Sequence, residues 1–167
     1  MVKQLLLPLA GVAAFIVLVG LLVKDSGNIK IPGVTPTTSP AAEKIITVGE
    51  TKLNVEIADT KSKREVGLGG RSTLDQNVGM LFVFDSKQVT PSFWMKDMLI
   101  PLDIIWISGG KVVKIDKNIQ APISGTPDSK LAIYNPGQPI DYVLEVNAGF
   151  SDTNNVKVGD SIDLSGI

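Results

Sequence analysis

The sequence predicts a mainly β protein: a compact antiparallel β-barrel-like domain with one or two short helices, preceded by a single transmembrane helix. Three observations carry that expectation. Residues 5–23 contain no charged side chain. Downstream, short stretches rich in Val, Ile, Leu and aromatic residues recur between segments carrying Gly, Pro, Asp and Asn, which is the signature of strands and turns. No long helical period separates those stretches, which argues against a βαβ architecture.

The N-terminal run of 19 residues approaches the ~20 needed to cross a hydrocarbon core. The amino terminus and Lys3 precede it and Lys24-Asp25 follows, so the positive flank predicts a cytoplasmic N-terminus and an extracytoplasmic domain, single-pass in the cell membrane. A cleaved signal peptide is the competing reading. The apolar run exceeds the usual signal length, and no small-x-small pair follows it closely, so a retained anchor over residues 1–24 is favoured. Residues 25–43 contain Pro32, Pro36 and Pro40 among Gly, Ser and Thr, and read as an extended linker. The globular domain is expected over 44–167, a size that leaves room for one domain only.

Within it, Ile45, Ile46 and Val48 precede a Gly49-Glu50 turn, and Leu53, Val55 and Ile57 alternate with polar residues, predicting a β-hairpin. Asp59-Thr60 can cap a short helix over 61–68 that Gly69-Gly70 stops. Further strands are expected at 80–84, 102–107, 112–115, 142–146 and 162–164.

Composition removes several chemistries. The chain has no Cys and no His, which excludes disulfides, thiol nucleophiles, Cys/His zinc sites and imidazole-based triads. With 16 Lys plus Arg against 17 Asp plus Glu, there is no basic excess to draw nucleic acid. Asp152-Thr153-Asn154 hints at a calcium loop, but its sixth position is Lys157 and its twelfth is Asp163, where Gly and a bidentate Glu are needed. No metal and no cofactor are therefore expected, and the oligomeric state is left open.

Six segments then occur in a telling order: Gly67-Leu68-Gly69-Gly70-Arg71, Gly79-Met80-Leu81-Phe82-Val83-Phe84, Phe93-Trp94-Met95-Lys96, Ile100-Pro101-Leu102-Asp103-Ile104, Tyr142-Val143-Leu144-Glu145-Val146-Asn147-Ala148-Gly149 and Val158-Gly159-Asp160. In order and spacing the chain resembles the domain of unknown function 192 family, from about residue 51 to residue 164. The resemblance implies a compact β-barrel-like domain of bacteria and archaea, often behind a signal or anchor, and implies no particular activity. Gly69-Gly70 departs from the bulkier residues of many members, which implies a looser loop.

Two carboxylates stand out. Asp103 shares a strand face with Ile105 and Ile107, and Glu145 shares one with Val143 and Asn147. A buried carboxylate needs a cation or hydrogen bonds, or its pKa rises. Arg71, with its planar fork, is the first expected partner of Glu145 and Lys96 the second. The proposed ligand-binding set is Arg71, Trp94, Lys96, Asp103, Glu145 and Asn147, on a concave surface bordered by Trp94 and Met80. The plainer reading is a structural ion-pair network, with Trp94 and Met95 as core or rim packing and the glycines as a helix stop rather than an anion site.

Three functional classes remain. The favoured one is a non-enzymatic binding module for a small polar or anionic ligand, a glycan or an envelope partner. The others are a hydrolase in which Asp103 and Glu145 divide acid and base roles, and a structural or assembly protein of the envelope.

Overall fold

The computed structural model describes residues 44–167, all within a unit spanning Thr38–Ile167. The expected membrane span, its orientation and the linker fall outside the described residues. Among the described residues no helix is long and apolar enough to cross a membrane.

The expected hairpin is β1 (Lys44–Val48) against β2 (Thr51–Ala58), paired antiparallel through a turn at Gly49. Helix α1 (Lys61–Val66) follows, and the Thr60 hydroxyl caps it by accepting the Lys63 N–H. It ends earlier than the sequence suggested. Gly67, at φ 52 and ψ −133, turns the chain out of the helix while its N–H still reaches the Lys63 carbonyl. Only glycine enters that region without strain. The Gly69-Gly70 pair belongs to the next turn.

Strand β3 (Val78–Val83) lies parallel to β2. The otherwise antiparallel sheet therefore contains one β-α-β crossover, in which α1 and residues 67–77 carry the chain from the end of β2 back to the start of β3. After β4 (Phe93–Trp94) come β5 (Leu102–Ser108), β6 (Lys111–Ile119), β7 (Ile133–Tyr134), β8 (Tyr142–Asn147), α2 (Phe150–Thr153) and β9 (Ile162–Asp163). All pairings other than β2 with β3 are antiparallel.

The main sheet runs β6-β5-β8-β3-β2-β1-β9, and β4 with β7 forms a separate two-stranded ribbon. The main sheet curls into a half-barrel. Its two ends approach at Lys111 and Ser161, where the Val112 N–H reaches the Asp160 carbonyl and the Ile162 N–H reaches that of Gly110.

Alternation along the strands makes two cores. One face packs Ile46, Val48, Leu53, Val55, Leu81, Ile105, Leu144 and Val146, together with Val112 and Ile162 from the two edge strands and Phe150 from α2. The other packs Met80, Phe82, Ile104, Trp106 and Val143 beneath a cover made by Leu68, Met95, Met98, Ile100 and Ile140. Both faces of β3, β5 and β8 are thus buried, which requires near-continuous apolar sequence there.

Asp103 lies on the first-core side of β5 with 0% of its surface exposed, as does Ser151 of α2 beside it. One carboxyl oxygen accepts the N–H groups of Asn118 (2.8 Å) and Gly149 (3.1 Å), and the other accepts that of Ser151 (2.9 Å). At this point β6 places two residues opposite one of β5, between the Leu102–Ile119 and Ile104–Asp116 pairs, and Asn118 takes φ 53 to do so. Asp103 thereby fastens the β6 bulge and the start of α2 to β5. Asp103→Ala should strand three backbone donors at about 1–3 kcal/mol each when water cannot reach them. The expected cost is about 3–5 kcal/mol in urea melts. A loss below about 1 kcal/mol would show that the carboxyl has no such role.

Candidate functional site

Strand β8 lies between β3 and β5, and its register places Glu145 beside Met80 on one side and Ile104 on the other. Met80 in turn pairs with Glu56 of β2. Side chains at directly paired positions share a face, so Glu56, Met80, Glu145 and Ile104 form one row across the sheet. Glu145 is 5% exposed. Its carboxyl forms no hydrogen bond and no ion pair among the described residues.

What lies over Glu145 is a cleft of about 780 Å³. Phe82, Phe84, Phe93, Trp94 and Met98 supply its apolar walls. The aromatic rings brace one another: Phe93 meets Phe82 edge-on at 4.9 Å and Trp106 at 5.5 Å between centroids. Lys61, Arg64 and Glu65 of α1, and Lys96 and Asp97 of the turn after β4, are the charged lining groups. One end is closed where the Gly70 N–H donates to the Asp97 carbonyl at 2.8 Å. Gly69 permits that contact: a Cβ there would come within 2.9 Å of the Val66 carbonyl oxygen.

The six residues singled out by sequence do not form one cluster. Glu145, Trp94 and Lys96 line the cleft. Asp103 does not, because it points to the opposite face of the sheet: it pairs with Val146, whose side chain enters the first core, one position along from Glu145. The paired-carboxylate arrangement required of the hydrolase reading is therefore absent from these two residues. Asn147 donates its side-chain amide to the carbonyls of Leu74 and Asp75, tethering the loop before β3.

The expected partners of Glu145 are both engaged elsewhere. Arg71 holds Glu56 through two bonds of 2.5 and 2.6 Å. Glu56 lies two strands away in the same row and is partly exposed, so pairing there removes less hydration from both charges than pairing at Glu145 would. Lys96 bonds Asp128 at 2.5 Å near the surface, with its ammonium 5.4 Å from the Trp94 ring centre.

These contacts divide the carboxyls electrostatically. The Arg71 hydrogen bond, opposed by partial burial and helped by charge attraction, holds Glu56 below its ordinary value. Burial alone pushes Glu145 up to about 8. Around neutral pH it carries its proton, which makes it a hydrogen-bond donor.

Glu56, Arg64, Phe84 and Asp97 matter here and were not among the residues first singled out. Glu56 alternates with Val55 and Ile57 in a recognisable strand, so its face was legible. That Arg71 would choose it was not, because the pairing depends on β2 lying beside β3. Arg64 is anchored by the carbonyls of Asp59 and Val83 and by Asp85, contacts that span a turn and another strand.

The family model described as "Uncharacterized ACR", the domain of unknown function 192, matches residues 44–164. Among solved structures, a protein from Sinorhizobium meliloti 1021, described as a putative transcription regulator, is 32% identical with a TM-score of 0.64, covering 75% of this chain and 95% of its own. A protein of unknown function from Novosphingobium aromaticivorans is 25% identical with a TM-score of 0.63, covering 78% and 91% respectively. No curated protein matches the chain.

The buried carboxyl makes a signed prediction about stability. Its folded pKa of about 8 lies above the ordinary glutamate value of 4.5, so the folded protein keeps a proton that the unfolded chain releases. Its stabilising effect is complete below about pH 4.5 and is lost as pH rises towards 8, at about 1.4 kcal/mol per unit. Glu145→Gln, which mimics the protonated form, should remove that slope and be the more stable protein at alkaline pH. Urea melts across this range check it, and parallel curves for the two proteins would contradict it.

Proposed function

The chain belongs to the domain of unknown function 192 family, and from that premise we propose that its domain is a non-enzymatic binding module, taking a small organic ligand into the Glu145 cleft. The observation that carries the reading is a carboxyl withdrawn from water without a partner at the base of an aromatic-walled cavity. Leaving such a group unpaired costs about 1–3 kcal/mol while it is protonated and more once it is ionised, and folds keep costs of that kind mainly where a ligand offsets them. The lining matches the general form of small-molecule sites, apolar walls with few convergent polar groups. Glu145 is the polar floor, Trp94 is a wall that is 43% exposed at the mouth, and α1 with the turn at Lys96-Asp97 forms the rim.

The regulator description of the Sinorhizobium protein is not carried over, because 16 basic against 17 acidic residues give no electrostatic footprint for nucleic acid. The reading includes location: residues 5–23 anchor the chain in the membrane, and the cleft faces the extracytoplasmic side. Protease added to intact spheroplasts should then remove the domain. Protection of the domain alongside a cytoplasmic control would place it inside.

A thermal-shift screen of small organic compounds against the full chain in detergent tests the cleft. A ligand present at 100 times its Kd should stabilise the protein by about 2.7 kcal/mol. Trp94→Ala, a substitution at an exposed position, should leave the unliganded melt within about 0.5 kcal/mol and weaken the hits. Compounds that protect wild type and Trp94→Ala equally would be binding elsewhere.

A further inference from the structure

We infer that the ligand of this cleft carries a protonated primary amine, which donates hydrogen bonds to the Glu145 carboxyl while an apolar body lies against Phe93 and Trp94. The inference rests on the cleft being a binding site and specifies the chemical class it takes.

Three independent features favour an ammonium. The first is hydrogen bonding. Glu145 is buried and its carboxyl is unpartnered among the described residues. An ionised carboxylate only accepts hydrogen bonds, and an ammonium brings three donors and the opposing charge. A quaternary ammonium brings the charge without the donors and leaves both oxygens unsatisfied.

The second is the charge left over in the lining. Each basic group there already has an acidic neighbour: Lys61 lies 3.7 Å from Glu65, Arg64 lies 3.2 Å from Asp85, and Lys96 lies 2.5 Å from Asp128. Asp97 and Glu145 are the lining acids whose carboxyls have no hydrogen bond or ion pair among the described residues. Of the three lining cations, Arg64 and Lys96 are hydrogen-bonded to acids, and Lys61 stands beside Glu65 only as an exposed pair. The third is the walls. Phe93 and Trp94 give the apolar body that carries the ammonium a surface to lie against.

Proton balance makes the inference testable. Glu145 holds its proton below about pH 8, so when an ammonium binds, that proton passes to solvent and the carboxylate and ammonium pair. Binding below this pH releases one proton, and the apparent affinity rises tenfold per pH unit until Glu145 is ionised in the free protein. The charged groups that line the same cleft as Glu145 are Lys61, Arg64 and Glu65 from α1, and Lys96 and Asp97 from the turn after β4. Met80 of β3 and Ile104 of β5 flank it without charge, and the Arg71–Glu56 pair lies further along the row. The chain has no histidine, and Glu145 is the buried carboxyl of this set.

Isothermal calorimetry on the full chain in non-ionic detergent, with 2-phenylethylamine, 2-phenylethanol and the trimethylated amine as probes, separates the possibilities. The expected result is that the primary amine binds best, that its Kd falls tenfold per unit from pH 6 to 8, and that about one proton is released to buffer at pH 6.5. Glu145→Gln should lose at least tenfold in affinity for the amine and show no proton release. If the alcohol binds at least as well as the amine and loses affinity above pH 8, Glu145 acts as a neutral donor. The ammonium inference then fails while the cleft stands as a binding site. A quaternary amine equal to the primary one overturns the hydrogen-bonding part, and with it the proposal. If none of the three binds at millimolar concentration while other compounds of the thermal-shift screen do, the ammonium inference fails and the cleft stands; if the screen also finds nothing, cleft binding itself is overturned.

Discussion

Strand β8 has neither a free edge nor a free face. It hydrogen-bonds to β3 and β5 along its length, the first core covers one side and the second covers the other. A side chain in the middle of such a strand meets water only through a gap in the cover. Over Glu145 that gap is the cleft between α1, the Gly67–Gly70 turn and the segment around Phe93–Asp97. The cleft's depth and its acidic floor both follow from the placement of β8 in the sheet order.

The two buried carboxyls of the domain meet the same problem in opposite ways. Asp103 gathers three backbone N–H groups and uses them to set a β6 bulge and the start of α2. That is fold-building, and it leaves no lone pair directed at a ligand cavity. Glu145, one strand away and on the other face, gathers nothing, and burial raises its pKa. The difference lies in what the backbone offers. Near Asp103 a bulge and a helix start leave N–H groups unpaired, whereas regular β3 and β5 spend their N–H groups on β8 and offer Glu145 none. The ionic pairs Arg71–Glu56 and Lys96–Asp128 lie nearer the surface, where charges keep part of their hydration.

Much of this was legible in the sequence because β-strand alternation is strict. The strands near 80–84, 102–107 and 142–146 and the embedding of Asp103 and Glu145 follow from period-two patterning and composition. Relations between strands did not. Alternation says which residues share a face within a strand, but not which face of one strand matches which face of the next, so Asp103 and Glu145 read as potential partners although the sheet separates them. The same gap sent Arg71 to Glu145 in the reading of the sequence and to Glu56 in the fold. The parallel β2–β3 pair was hidden because its crossover helix has only six residues. The β4–β7 ribbon was hidden because its strands have two residues each, below the length at which a pattern exists.

The claim on which the functional reading turns is that Glu145 is a carboxyl withdrawn from water with nothing paired to it. Its titration in the unliganded full chain, followed by the carbon-13 resonance of the labelled side-chain carboxyl and assigned by its disappearance in Glu145→Gln, measures this directly. The expected midpoint is about 8. A midpoint near the ordinary glutamate value of 4.5 would mean that the carboxyl is hydrated or paired, and would contradict both the unpartnered floor of the cleft and the ligand chemistry inferred from it.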